Sequence, residues 1–259
     1  YNMTNLTSET PYYVRVRAYC GGTDYGLWSD AISFIASDDF IVHAGSQTSD
    51  YVPIFGQYAW QAQQNQMIYP ATELTALVGQ SILEMKFYIS SVSGTGNVGK
   101  WIVSLGETDA TTLSGLNTTT PLTQVSSGAL TFNSDDTEMT VTFEDEGYLY
   151  HGGNLLVEFN NSIGADGDKK IYFCGETVKG ASYTWEEKRN FLPMTAFTFG
   201  APPACPKPTN LTSSEITSTA ATLSWRENGT ATAWEICLNG DEENLISADS
   251  NPFTVTGLT

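Results

Sequence analysis

The sequence predicts an all-β protein: a central jelly-roll-like antiparallel β-sandwich with a partial sandwich on either side. Three observations lead there. Between about residues 40 and 200 the chain keeps no 3.6-residue apolar period, only short apolar runs set between Gly, Ser, Asn and Asp clusters, as strands joined by turns require. Near the start, Tyr12, Val14 and Val16 alternate with Tyr13, Arg15 and Arg17, the period-2 pattern of a strand with one buried face. Finally, FTVTGLT at 253–259 lines up with YNMTNLT at 1–7, so the chain reads as one 252-residue period of a repeat array that begins and ends inside a sandwich.

In order, residues 1–37 hold a strand over 12–18, a turn at Gly21-Gly22 and a closing strand over 31–35; Asp38-Asp39 marks the boundary. Residues 38–202 form the central domain. Its best helical stretch, 70–78 (PATELTALV), reads as one short turn with Thr72 as cap and Leu74, Leu77 and Val78 facing inward. Strands are expected at 82–89 and 101–105, joined by a Gly/Ser loop over 90–100, and then at 130–132, 139–143, 154–159, 171–174 and 194–199. The turn into the strand at 154–159 is YLYHGG, 148–153. So many short strands in this length imply two packed sheets, with Phe87, Trp101, Val103, Val141, Phe143, Leu156, Phe173 and Phe197 in the core. Pro202, Pro203, Pro206 and Pro208 make a stiff linker. Residues 203–259 then carry strand material around Leu211 and over 221–225, 234–238 and 253–258.

Eleven Lys and Arg stand against 29 Asp and Glu, a net charge of −18. That excludes the basic face on which counterion-release binding of nucleic acid depends, and it disfavours anionic membrane surfaces. No apolar run approaches the roughly 18 residues of a membrane span, so no membrane insertion is expected. Four cysteines are too few for a disulfide scaffold. Six Asn-x-Ser/Thr sequons (at Asn2, Asn5, Asn117, Asn160, Asn210 and Asn228) are what chance gives in so Thr-rich a chain.

Motifs for chemistry are sparse. GTGNVG at 94–99 fits the dinucleotide pattern GxGxxG, but a strand (GKWIVSL) follows where a phosphate-binding helix is needed, so it reads as a hairpin loop. His43 and His151 are the only histidines, without Cys, His or carboxylate neighbours at metal-ligand spacing, and His151 reads as a surface-turn residue. No GxSxG elbow or HExxH occurs, so no catalytic residue is assigned and the chain is not expected to be an enzyme. Asp166 and Asp168 could offer oxygens to Ca²⁺, the one cofactor the sequence suggests, although an Asp-Gly turn explains them without metal. Tyr58, Trp60, Tyr183 and Trp185 sit among Gln, Ser, Thr and Glu outside any clean alternation. A ring beside amides suits stacking on a sugar face, and burial in the core is the competing explanation.

Two resemblances add to this reading. The stretch LTSETPYYVRVRA at 6–18, with Leu6 six residues and Thr10 two residues before Tyr12, and then Trp28-Ser29-Asp30, resembles strands F and G of a fibronectin type III domain. Residues 205–259 resemble strands A, B, C and E of the same domain, with Trp225 as the strand B core tryptophan. Residues 1–37 would then be the E-F-G part and 203–259 the A-B-C-E part. YVPIFGQY (51–58), QMIYPATEL (66–74), YHGGNLLVEF (150–159) and NFLPMTAFTF (190–199) resemble β-sandwich repeats beside fibronectin type III repeats in large surface proteins of gut and oral Bacteroidetes. A looser resemblance to gingipain-type cleaved adhesin jelly rolls rests on context and size. These resemblances imply a secreted or cell-surface, non-enzymatic adhesion module of a multidomain repeat protein. Its partners would be a host or surface glycan or protein, and neighbouring copies of the chain through strand complementation. A carbohydrate-binding module accompanying a glycan-degrading enzyme is the alternative. The fibronectin geometry further implies a disulfide between Cys20 and Cys205, within or between chains, leaving Cys174 and Cys237 free.

Overall fold

The structure, a computed structural model, describes residues 11–35, 40–56, 63–163, 167–184 and 186–258. Among them there is no α-helix, and the fold is all-β. The chain divides into two compact units, 1–40 and 41–259.

In the first unit β1 (Pro11–Val14) pairs antiparallel with β4 (Ile32–Ile35), and β2 (Tyr19–Gly21) with β3 (Asp24–Tyr25). Tyr12 and Val14 are half-buried, as the alternation requires, but Val16 is 67% exposed. The strand stops at Val14, and beyond it the backbone is held by Ser29, whose Oγ accepts from Val16 N at 3.0 Å. Arg17 lies over the rings of Tyr25 and Trp28, 3.9 and 4.5 Å from their centroids.

The second unit opens with β5 (Phe40–Val42), β6 (Gln47–Ser49), β7 (Gln63–Tyr69), β8 (Ser81–Ser93) and β9 (Lys100–Thr108). Next come β10 (Thr123–Ala129), β11 (Glu138–Thr142), β12 (Tyr148–Leu149), β13 (Asn154–Ile163) and β14 (Lys170–Glu176). Four shorter strands close the set: β15 (Ser182–Thr184), β16 (Glu187–Arg189), β17 (Leu192–Pro193) and β18 (Thr195–Gly200). One sheet runs β10-β9-β13-β7-β15-β16. The other runs β17-β14-β8-β18-β5, with β11 and β12 on β8 and β6 on β14. They face each other through aromatic contacts: Tyr69 meets Phe197 edge-on at 5.7 Å, and Phe87 meets Phe159 at 5.7 Å. This is a two-sheet antiparallel sandwich.

All eight expected core residues are buried, but Leu156 is buried elsewhere. It points to the outer face of the six-stranded sheet and packs with Ile68 under Leu113 of the connection between β9 and β10. Beside the short β5, β6, β12, β15, β16 and β17, two strands of seven residues escape the sequence pattern. The polar start of β7 (QQNQ) hides a central strand, and the strand expected at 130–132 is replaced by β10 just before it. The 70–78 stretch forms two 3₁₀ turns, Ala71–Glu73 and Thr75–Leu77. Thr72 is not their cap: Pro70 occupies that position, and Asn154 Oδ1 accepts from Ala71 N at 2.9 Å. Leu74 and Leu77 are buried as expected, whereas Val78 is 48% exposed at the end of the second turn.

After the linker, β19 (Thr209–Ser214), β20 (Ala220–Arg226) and β23 (Phe253–Thr256) form a three-stranded sheet. β21 (Trp234–Ile236) pairs with β22 (Ile246–Ala248). Trp225 packs edge-on against Trp234 at 5.1 Å, and Trp234 Nε1 donates to Glu227 Oε2 at 2.7 Å. That hydrogen bond, with lesser ones from Gly229 N and Ala231 N, holds the Glu227 carboxyl below its ordinary range. Leu211 and Ile216 remain 68% and 70% exposed. No helix of the described residues is long and apolar enough to cross a membrane.

Candidate functional site

The outer face of the six-stranded sheet places one expected ligand residue in a polar setting. Antiparallel register puts Gln124 (β10), Ser104 (β9), Glu158 (β13), Gln66 (β7), Tyr183 (β15) and Lys188 (β16) in one row across the strands. Residues two apart on a strand share a face, so Ile102, Asn160 and Gln64 form the next row. Glu158 Oε2 accepts from Gln64 Nε2 at 2.7 Å and from Gln66 Nε2 at 2.8 Å. Gln66 is held a second time: its Oε1 accepts from Asn117 N at 2.7 Å and its Nε2 donates to Asn117 O at 3.0 Å. Asn117 Oδ1 in turn accepts from Thr119 N and Thr120 N, which fixes the connection lying over this part of the sheet.

The face therefore has two halves. Ile68, Leu113 and Leu156 make a covered apolar half, against which the half-buried Tyr183 packs. Gln64, Ser104, Ile102 and Asn160 make a half-open, mostly polar half. Gln66 and Glu158 are themselves buried, so what this network offers outward is the half-buried Gln64 amide, held by Glu158; with the half-buried Tyr183 ring it can order the hydroxyls of a polyhydroxylated ligand while the ring covers its C–H face. On the inner face of β7 the environment differs. The side chains of Gln63 and Asn65, and Thr184 Oγ1 on β15, are buried without a hydrogen-bond partner among the described residues.

Of the other expected site residues, Tyr58, Trp60, Trp185 and Asp166 lie outside the described residues. Asp168 is exposed, and its carboxylate is engaged by the glycine loop: Oδ1 accepts from Thr95 N at 3.0 Å and from Thr95 Oγ1 at 3.4 Å. The Thr95 backbone bond is the main cause of its lowered carboxyl pKa. Gly94, at φ +76°, has room only for hydrogen, since a Cβ there would come 2.3 Å from Asp168 O. The first glycine of GTGNVG thus serves a close loop approach. Among the described residues no group of three or more His, Cys, Asp or Glu is placed to hold a metal ion.

Cys20, Cys174, Cys205 and Cys237 are all free. Cys20 and Cys205 are exposed and belong to different compact units. Cys174 is partly buried, and that burial raises its thiol pKa.

Both histidines have carboxylate neighbours that sequence spacing concealed. His151 is no bare turn residue: Glu107 Oε1 accepts from its backbone N at 3.0 Å and lies 2.9 Å from its ring Nδ1. Glu107 Oε2 accepts from Gly153 N at 2.7 Å, so one carboxylate on β9 organises the whole turn. His43 is 5% exposed, with Nε2 2.9 Å from Glu73 Oε2, an ion-pair distance without hydrogen-bond alignment, and Nδ1 3.6 Å from Glu176. These partners lie tens of residues away in sequence, and no local motif marks them.

No protein-family model matches the chain, and no curated protein matches it. Among solved structures it is similar to a Faecalibacterium prausnitzii beta-glucuronidase, at 10% identity over 98% of this chain and with a TM-score of 0.21. The chain spans 42% of that protein's length, and a likeness at this TM-score carries no argument about function.

Proposed function

We propose that the chain is a non-enzymatic adhesion or interaction module of a secreted or surface-anchored bacterial repeat protein, and that it contacts a glycan, or a protein bearing one, through the outer face of its six-stranded sheet. The observation that carries this reading is the half-buried Gln64 amide, held in place by the buried Glu158, on the same face as the half-buried Tyr183 ring. The same observation favours a second reading, a carbohydrate-binding module that serves a glycan-degrading enzyme. Both readings need the face to bind sugar, and they differ in what the neighbouring domains do. Binding on a glycan array that falls about tenfold or more in Tyr183→Ala supports the face as the contact, in line with the ~0.5–1.5 kcal/mol typical of a well-placed ring plus its buried area. Retained binding in that variant, with loss in Trp60→Ala or Trp185→Ala, would move the contact to those tryptophans.

Neighbouring copies are the further partner in this reading. Tyr13, Val16 and Trp28 in the first unit are 78%, 67% and 55% exposed. In the C-terminal sheets, Leu211, Leu223, Trp225, Trp234 and Ile236 line an apolar groove of about 220 Å³. Burying a large side chain of this kind is worth roughly 1.5–3 kcal/mol, which favours strand complementation between one copy's first unit and another's C-terminal sheets.

A further inference from the structure

A second polar concavity of the second unit meets the sheet face at Gln124, on its edge strand β10. It is a cleft of about 310 Å³ between the β12–β13 turn of the sandwich and the β19–β20 edge of the C-terminal sheet. One wall carries Glu107, Tyr148 and His151; the other carries Arg226, Asn228 and Thr209.

Both walls are set before any ligand arrives. Glu107 fixes the turn through the two backbone N–H bonds described above, from His151 and Gly153. Gly147, at φ +76°, brings the turn so close to β8 that a Cβ there would lie 2.3 Å from Ile82 O. On the other side, Asn228 Nδ2 donates to Lys207 O at 2.7 Å and to Thr209 Oγ1 at 3.1 Å. The linker is fastened across the cleft: Glu146 Oε1 accepts from Lys207 N at 2.6 Å, and Lys207 Nζ lies 3.2 Å from Asp145 Oδ2. Lys207 is thereby committed. Arg226, by contrast, is exposed; its backbone pairs with Thr209, its side chain is in no ion pair among the described residues, and its charge bears on Tyr148.

The chemistry of the lining narrows the ligand. Four carboxylates (Glu107, Glu144, Asp145 and Glu146) outnumber the two cations, which repels phosphates and acidic sugars. The many polar groups and few apolar ones exclude lipids. What remains is a neutral molecule with hydroxyls that both donate and accept. The Tyr148 hydroxyl stays protonated, because burial and then the Glu107 charge raise its pKa. The rings of Pro121, Pro203 and Pro206 supply rigid C–H surface on the same cleft.

We propose that this cleft is a second ligand site that binds the end of a neutral oligosaccharide, with Arg226 donating to its hydroxyls from one wall and the Tyr148 oxygen, whose proton goes to Glu107, accepting from them on the other. The site goes beyond the sheet face and does not depend on it. A ligand held there ties the C-terminal sheet to the sandwich, so occupancy should also slow amide exchange in β12 and β20.

The test is calorimetric titration of the whole chain with neutral trisaccharides (cellotriose, xylotriose and mannotriose) and with trigalacturonate as the acidic control. A neutral trisaccharide is expected to bind the chain and its Tyr183→Ala variant equally. Arg226→Ala and Tyr148→Phe should each weaken that binding by about tenfold, as loss of a well-placed hydrogen bond does. Arg226→Gln, which keeps a donor, should recover part of it, and unchanged melting curves exclude misfolding as the cause. Equal binding by Arg226→Ala and the unmodified chain overturns the proposal. So does absence of binding by every neutral trisaccharide, or tighter binding of trigalacturonate. Loss in Tyr183→Ala alone overturns it too, while leaving the sheet-face reading intact.

Discussion

Asn65 carries an amide into the space between the two sheets and leaves both of its polar atoms without a partner among the described residues. A buried unpartnered polar group costs about 1–3 kcal/mol. Asn65→Leu, close in volume and apolar, is therefore expected to raise stability by about 1–2 kcal/mol, read as a higher urea midpoint at unchanged slope. A lower midpoint would show that the amide has a partner in solution. Tyr150 makes a pH prediction. Burial, and then the Glu107 charge, push its hydroxyl from 10.0 up to about 12. A pKa raised in the folded state adds stability that is complete below the unfolded value and is lost as pH climbs through the folded one. Stability should thus fall between pH 10 and about 12, and Tyr150→Phe should flatten that limb of the curve. An unchanged limb in the variant would assign the fall to other groups.

Among the elements, legibility followed the pattern of burial. β8, β9, β13, β14 and β18 carry most of their large apolar residues on the inner face, and each was readable from the sequence to within a few residues. β7 was not, because Gln63 and Asn65 occupy positions that the period assigns to apolar side chains. β10 was missed because its sequence, TQVSSGA, buries only Val125. Of the candidate face, Tyr183 was legible as a ring among polar residues. Its neighbours Gln66 and Glu158 were not, since register across β13, β7 and β15 sets that row and no local motif encodes it. The cleft was invisible for the same reason: its walls lie some 60–120 residues apart in sequence. The loop at 94–97 offers a test at this scale. If Asp168 pins it through Thr95, Asp168→Ala should speed amide exchange of Thr95 by about tenfold and leave β9 protected. Unaltered exchange at Thr95 would mean that the glycine-bearing turn holds itself.

For the whole molecule, the exposed apolar residues of the first unit and the apolar groove of the C-terminal sheets predict association that grows with concentration. Sedimentation should show a ladder of species for residues 1–259 and a single species once 1–37 are removed. A monomer at every concentration would contradict strand complementation. If Cys20 and Cys205 pair between copies, the ladder should also shift under reducing agent; unchanged alkylation of both thiols at high concentration would exclude the bond. Whether this all-β chain binds sugar without cleaving it is decided by a glycan array probed in parallel with the intact chain and Tyr183→Ala. A restricted set of glycans should be bound and recovered uncleaved, and those held by the sheet face should lose about tenfold or more of their signal in the variant. Binding to no glycan, or cleavage of those that bind, would contradict the proposed function.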